Sequence, residues 1–416
     1  MIGGSLSPKD ASEAAKRSPL PPTRPHLIGD DAEALDVARR LAADFAVGAA
    51  QRDAERRLPF EEIERYTASG LGGITIPREH GGADVSFVTL AEVFAILCAA
   101  DPALGQIPQN QFGVIALLRE HGTPEQKARL FADVLAGKRI GNAGPEKGGA
   151  SMLHMKTRLT RTPEGLRLTG RRFYSTGAIF AHWIPTRALD EEDRPVQVWV
   201  PHDAPGVTVI DDWSSFGQRT TASGSVVFDN VSIDPGDVLP VHAFAERPGL
   251  SGPISQIIQA AIDLGIARGA FADTLAFVRD RSRPWMDSGV AAAVEDPTIR
   301  QSVGGLATNL HAAEEVLREA AEVLDRIAAK PVTDLSSAEA SLAVAEAKIL
   351  TTEIALEASE TLFDLAGSSA TRAAHNLDRH WRNARVHTLH DPVRWKFHLL
   401  GNHALNGALP RRHQWN

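Results

Sequence analysis

The spacing of apolar residues changes twice along the chain. From Asp31, residues Leu35, Ala38, Leu41, Ala42 and Phe45 recur at intervals of three and four, which puts them on one face of an α-helix. Pro59 starts another short helix, and His80-Gly81-Gly82 is a turn that needs glycine. Phe87–Ala100, with Ser86 as its cap, and residues 113–135 continue the helical period, with a fresh start at Thr123-Pro124-Glu125. From about Ile140 the period shortens. Residues 157–162, 166–169, 196–200, 207–210 and 225–231 alternate over short runs separated by Gly, Pro, Asp and Asn, which predicts strands of a small antiparallel barrel or sandwich. After Pro253 the longer period returns. Leu306, Leu310, Ala313, Leu317, Ala320, Leu324 and Ile327 line a long helix that ends before Pro331. Ser336 or Ser337 caps the next helix, which runs to about Ala366 and stops at Gly367. Helices, then strands, then helices predict separate domains rather than alternating βαβ units. The expected divisions are a flexible tail over 1–30, a helical domain over 31–139, a β domain over 140–245 and a helical bundle over 246–416.

Composition narrows the function. A length of 416 residues with 23% charged and 43% hydrophobic residues describes an ordinary soluble chain with a large core. No run is long and apolar enough to span a membrane. The start of the chain lacks the apolar stretch of a secretory signal, so a cytoplasmic location is expected. A net charge of −8 argues against nucleic acid as the main partner. Cys98, the single cysteine, sits in an apolar run and reads as a buried structural thiol; it excludes an intramolecular disulfide and multi-cysteine zinc sites. Cysteine and methionine together number 5, a sulfur-poor composition that fits synthesis under sulfur limitation or ordinary drift.

No Gly-x-Gly-x-x-Gly opens a helix after a strand, and there is no Walker loop or Gly-x-Ser-x-Gly elbow. Six of the 15 histidines lie between His375 and His403. His387 and His390, followed by Asp391-Pro392, raise a metal cluster as one reading. Pro392 ends any helix there and no third ligand is evident, so no metal is expected. Two further readings stay open: a histidine poised for acid–base work, and structural histidines with satisfied partners.

After about residue 31 the chain resembles the acyl-CoA dehydrogenase family. The likeness is carried by Ile76-Pro77-Arg78-Glu79-His80-Gly81-Gly82, Gly141-Asn142-Ala143, Thr169-Gly170, Thr176-Gly177-Ala178 and Gly217-Gln218-Arg219-Thr220-Thr221-Ala222-Ser223-Gly224. Leu377-Asp378-Arg379-His380-Trp381-Arg382-Asn383-Ala384-Arg385, His387-Thr388-Leu389-His390-Asp391-Pro392 and Leu405-Asn406-Gly407 are similar to the branch that holds dibenzothiophene monooxygenase and the sulfur-acquisition oxidoreductases. Asp211-Asp212-Trp213 and Arg283-Pro284-Trp285 match the same branch. The resemblance implies an α+β fold: an N-terminal helical domain, a middle antiparallel β-barrel or sandwich, and a C-terminal four-helix bundle.

The branch departs from ordinary members of the family in an informative way. Where many carry a glutamate that removes an α-proton, this chain has His390-Asp391-Pro392. Asp391 is one methylene shorter and locked before a proline. The resemblance therefore implies a two-component monooxygenase, in which reduced FMN from a separate NAD(P)H:flavin reductase reacts with O2 to give a C4a-(hydro)peroxide. An oxygen atom would pass to a small or aromatic organosulfur compound such as a sulfide, sulfoxide, sulfone or thiophene.

By the same resemblance His390, Thr176 and Asn142 are catalytic, with Ser175, Trp213, Arg283, Ser369 and Arg372 joining them around the cofactor. Gln111, His387 and Asp391 would line the substrate pocket. Gln111 stands where relatives tend to have histidine, and Thr176 where some have serine. Each residue also has a plain structural role to fill: Thr176 in a strand turn, Trp213 and Trp285 in a core or interface, Arg283 in an ion pair. Arg379, Arg382 and Arg385 read as a solvated helix face or as subunit packing. A homotetramer, a dimer of dimers, is implied. The alternatives are an FAD-dependent acyl-CoA dehydrogenase with Asp391 as base, a flavin N-oxygenase of the same fold, and a catalytically silent scaffold.

Overall fold

The 30-residue helix Ser251–Asp280 is the axis around which the molecule is built. Ile257, Ile258, Ala260, Ala261, Ile262, Leu264, Ile266 and Ala267 are buried on successive faces of it, so apolar partners must surround it. The computed structural model, which describes residue 19 and residues 22–148, 155–413 and 415–416, supplies those partners from both ends of the chain. Phe87–Ala100 packs on one side, and the long helices Pro297–Ala328 and Asp334–Ala366 pack on the other. Cys98 is wedged where two glycines let the backbones close in: a Cβ on Gly105 would lie 2.4 Å from its Sγ, and one on Gly265 would lie 2.6 Å from its Cβ. The short helices Asp378–His387 and Arg394–Asn406 close the bundle.

The helix signals act as expected at Ser86 and Thr123, whose hydroxyls accept from Thr89 N and Gln126 N. The cap of Asp334–Ala366 is Thr333 rather than Ser336 or Ser337: Ser336 is the third helical residue and completes a capping box with it. Of the expected flexible tail, residues 1–18, 20 and 21 lie outside the described residues. Residues 22–30 are instead laid down as a strap. His26 N donates to Ala68 O at 2.9 Å and Ile28 is buried.

The β domain is a seven-stranded sheet in the order β5-β6-β2-β1-β3-β4-β7. Its strands are β1 (Arg158–Thr162), β2 (Gly165–Arg172), β3 (Trp183–Leu189), β4 (Pro195–Pro201), β5 (Val207–Ile210), β6 (Ser225–Ile233) and β7 (Val238–Leu239). Every junction is antiparallel except β1–β3, which runs parallel through Arg158 and Leu189. The expected all-antiparallel sheet is therefore mixed, because the chain crosses from β2 to β3 over the turn Ala178–Phe180 instead of a tight hairpin. No alternation announces β3, whose first four residues are all buried. No helix among the described residues is long and apolar enough to cross a membrane.

Candidate functional site

The three domains meet around a closed circuit of contacts that contains Thr176, Trp213 and His387 of the expected site and runs beside Ser175. Tyr174, with φ of +58°, and Gly177, with φ of +75°, bracket Ser175 and Thr176 at the end of β2. A Cβ on Gly177 would lie 2.9 Å from Ile107 O, so this turn rests on the N-terminal domain. The Thr176 hydroxyl pairs with Ser223 Oγ at 2.7 Å, and Ser223 with Thr221 Oγ1 at 2.8 Å. Thr221 Oγ1 and Trp213 Nε1 both donate to Gln218 O, each at 2.9 Å.

The loop between β5 and β6 then docks on the bundle. Gln218 N donates to Asn383 Oδ1 at 2.7 Å. A side chain on Gly217 would collide with Arg382 O at 1.9 Å. One turn beyond Asn383 on the same helix, His387 is fully buried, its Nδ1 2.5 Å from Asp263 Oδ1 and its Nε2 2.9 Å from Gln259 Oε1. Gln259 Nε2 donates to Gln109 Oε1 at 2.8 Å, which leads back to the segment holding Ile107. Asn142 stands beside the circuit, next to Gly141, whose carbonyl accepts from Asn110 Nδ2 at 2.6 Å.

His390 lies in the turn after this helix, its ring partly exposed and stacked 6.4 Å from that of His387. Its Nδ1 is 3.3 Å from Asp391 Oδ1, and Lys396 Nζ is 3.8 Å from Asp391 Oδ2. Burial pushes the Asp391 carboxyl up, but the hydrogen bond with His390 and the cations Lys348 and Lys396 outweigh it and hold the group well below the usual carboxylate range. Burial in turn brings Lys396 down to about 8.

Not every expected residue converges here. Gln111 is spent on packing: Nε2 donates to Gly72 O at 2.7 Å and Oε1 accepts from Ile140 N at 2.9 Å. Two positions earlier on that helix, Gln109 is the glutamine that reaches the circuit, because residues two apart on a helix point nearly opposite ways. His387 is a buried member of the bundle rather than an open pocket wall. Arg283, Ser369 and Arg372 are exposed, and Trp285 is 68% exposed. Arg379 and Arg382 do not form a solvated face: they pair with Asp273 at 2.7 Å and Asp53 at 2.6 Å. No group of three or more His, Cys, Asp or Glu among the described residues is placed to hold a metal ion.

Gln218, Asn383, Asp263, Gln259 and Lys348 were not singled out from sequence. Asp263 carried a signal, since it is the one charge in the helical stretch 251–267. Gln218 carried a different one that only structure reveals. It is 1% exposed, and neither amide atom has a hydrogen-bond partner; the Ser175 hydroxyl is orphaned in the same way. Buried polar atoms without partners are costly, so these positions suit a polar ligand that would satisfy them.

Sequence profiles described as the acyl-CoA dehydrogenase N-terminal and C-terminal domains match residues 30–138 and 257–395. The chain belongs to the acyl-CoA dehydrogenase family. Among its relatives, dibenzothiophene monooxygenase of Rhodococcus erythropolis is 34% identical over 410 residues, covering 94% of this chain and 98% of that protein. A probable FMNH2-dependent monooxygenase, SfnC of Pseudomonas putida, is 30% identical over 91% of this chain and 96% of its own. The crystal structure of FMN-bound TdsC from Paenibacillus sp. A11-2 superposes with a TM-score of 0.88 at 34% identity, covering 92% of this chain and 100% of that one.

Proposed function

We propose that the protein is a flavin-dependent monooxygenase that uses reduced FMN and O2 to oxygenate an organosulfur compound. The observation that carries this reading is the state of Asp391. A base that removes an α-proton must bind that proton near working pH. Asp391 is buried, ion-paired to Lys396 and hydrogen-bonded to His390, and its depressed pKa makes it a poor proton acceptor. Dehydrogenation by this carboxylate is disfavoured, whereas the partly exposed His390 ring, its Nδ1 3.3 Å from Asp391 Oδ1, presents a group that can both accept and donate a proton.

When bound, reduced FMN supplies the electrons that activate O2. The chain's own residues provide the setting. Ser175, Thr176 and the Gln218 amide offer hydrogen-bond partners to the ring system, Asn142 adds another, and Trp213 forms a wall. His390 holds or gives the proton that the oxygen transfer requires, and the packed circuit beneath it keeps water out. Arg283 would pair with the cofactor phosphate, and Ser369 and Arg372 would contact it across a subunit boundary in a homotetramer. That assembly would also cover the exposed Leu389, Trp395, Phe397 and Leu405. Reduced flavin arrives from a separate NAD(P)H-dependent reductase, and the reaction takes place in the cytoplasm. The substrate is a small or aromatic sulfide, sulfoxide, sulfone or thiophene.

The test is oxygen uptake and product analysis with enzymatically reduced FMN and a panel of such compounds. An oxygenated sulfur product supports the reading. Peroxide release with no oxygenated product from any member would overturn it.

A further inference from the structure

Beneath His390 the bundle holds a buried polar assembly that the site residues named so far do not require. Asp263 comes from the central helix, with a fully buried carboxylate. Its Oδ2 accepts from Lys348 Nζ at 2.5 Å and from Thr352 Oγ1 at 3.2 Å, both from the helix Asp334–Ala366. Its Oδ1 meets His387 Nδ1 at 2.5 Å. On the other edge of the imidazole stand Gln259 and, through it, Gln109. His390 faces the ring from its own turn. These are the charged and polar partners of His387 from every element around it.

Charge balance fixes the protonation of this assembly. Lys348 and Asp263 cancel, so a second cation on His387 would leave a net charge where no water reaches. Burial lowers the His387 pKa, with Asp263 acting in the opposite sense. A neutral ring must carry its one proton on Nδ1, because the atom facing it there, Asp263 Oδ1, can only accept. With the amides oriented as described, Gln259 Oε1 would face the bare Nε2. Turning the Gln259 and Gln109 amides end for end exchanges their oxygen and nitrogen, so that Gln259 Nε2 donates to His387 Nε2 and Gln109 Nε2 donates to the Gln259 oxygen.

We propose that Asp263, locked by Lys348 and Thr352, is a positioning residue of the reaction. It fixes the tautomer and plane of His387, and the fixed ring orients His390 stacked above it. The inference rests on the reading of His390 as the proton-handling group. Buried lysine–aspartate pairs are costly to maintain in an apolar bundle, which suits a specific orienting duty better than bulk stability. An imidazole fixed by an outer carboxylate is a general means of setting which nitrogen carries the proton.

Two measurements on the full-length protein test it. Nitrogen-15 histidine NMR of the wild type, with His387→Asn to assign the signal, should show an Nδ1-protonated neutral His387 that does not titrate between pH 6 and 9. A freely titrating ring, or one protonated on Nε2, would overturn the proposal with no reference to turnover. Separately, Asp263→Asn/Lys348→Met removes both charges together, so neither is left buried alone. With FMN affinity retained, it should lower the ratio of oxygenated product to peroxide on the order of 10-fold to 100-fold and shift the pH profile of that ratio. The wild-type ratio and profile in a folded double variant would overturn the proposal. Should the wild type itself yield no oxygenated product, the functional reading fails while the NMR result still decides the role of Asp263.

Discussion

Asn383 and His387 sit one helical turn apart, and between them they tie the β domain and the central helix to the same face of one short helix. Asn383 holds the backbone of Gln218, and His387 reaches Asp263 and Gln259. Any shift of this helix therefore moves the loop at Gln218 and the support of His390 together.

Replacing Asn383 with Ala should loosen the loop at its docking point. A buried hydrogen bond lost from one side costs about 1–3 kcal/mol, so FMN affinity should fall roughly tenfold or more, read by titrating flavin fluorescence. Unchanged affinity would show that the loop holds its place without this contact.

His390→Ala should leave folding and assembly intact, because the ring is partly exposed and its hydrogen bond to Asp391 is long. Oxygenation should drop by about 10²-fold or more, the scale of a lost acid–base group. Turnover at the wild-type rate in the substituted protein would remove His390 from the mechanism even with the family assignment secure.

Thr176→Val keeps the shape of the turn but deletes the partner of Ser223. We expect a loss of stability of about 1 kcal/mol, seen in thermal unfolding, together with more peroxide released per oxygen consumed. Thr176→Ser should restore both, since the hydroxyl alone carries the contact.

Asp273 controls a pH dependence that lies outside the site. Burial pushes its carboxyl up, but His380 and Arg379 overcome that and bring it down to about 2. This lies below the unfolded value of roughly 3.9, so its ionised form stabilises the fold at higher pH. The contribution is lost as pH falls through about 4 toward 2. Asp273→Asn should lower the unfolding temperature at pH 7, and its difference from wild type should shrink across that acidic window. A gap that stays constant with pH would mean that Asp273 acts through shape and not charge.

The domain order, most of the helices and five of the seven strands were legible from the spacing of their apolar residues and from the Gly, Pro, Asp and Asn that bound them. β3 was not, since both its faces are covered, and the buried Thr186 beside Arg187 leaves no two-residue alternation to read. The site shows the same divide. Thr176, Trp213 and His390 stand in turns whose residues are distinctive in sequence. Gln111 and Gln109 are the same amino acid on the same helix, and only the direction each takes from the backbone tells packing from circuit. Gln218 lies within the family-like segment 217–224, but nothing in that segment marks its amide as partnerless; that emerges from what the folded chain fails to place beside it.

Cys98, wedged between Gly105 and Gly265, gives the protein a built-in clock. It is the chain's single cysteine and is fully buried, and burial raises its pKa well above that of a free thiol. A thiol reagent can reach it only after the central helix separates from Phe87–Ala100, so the labelling rate reports how often the heart of the molecule opens. The same enclosure protects it chemically: an oxidant in the surrounding solution meets no thiolate on the surface of this chain.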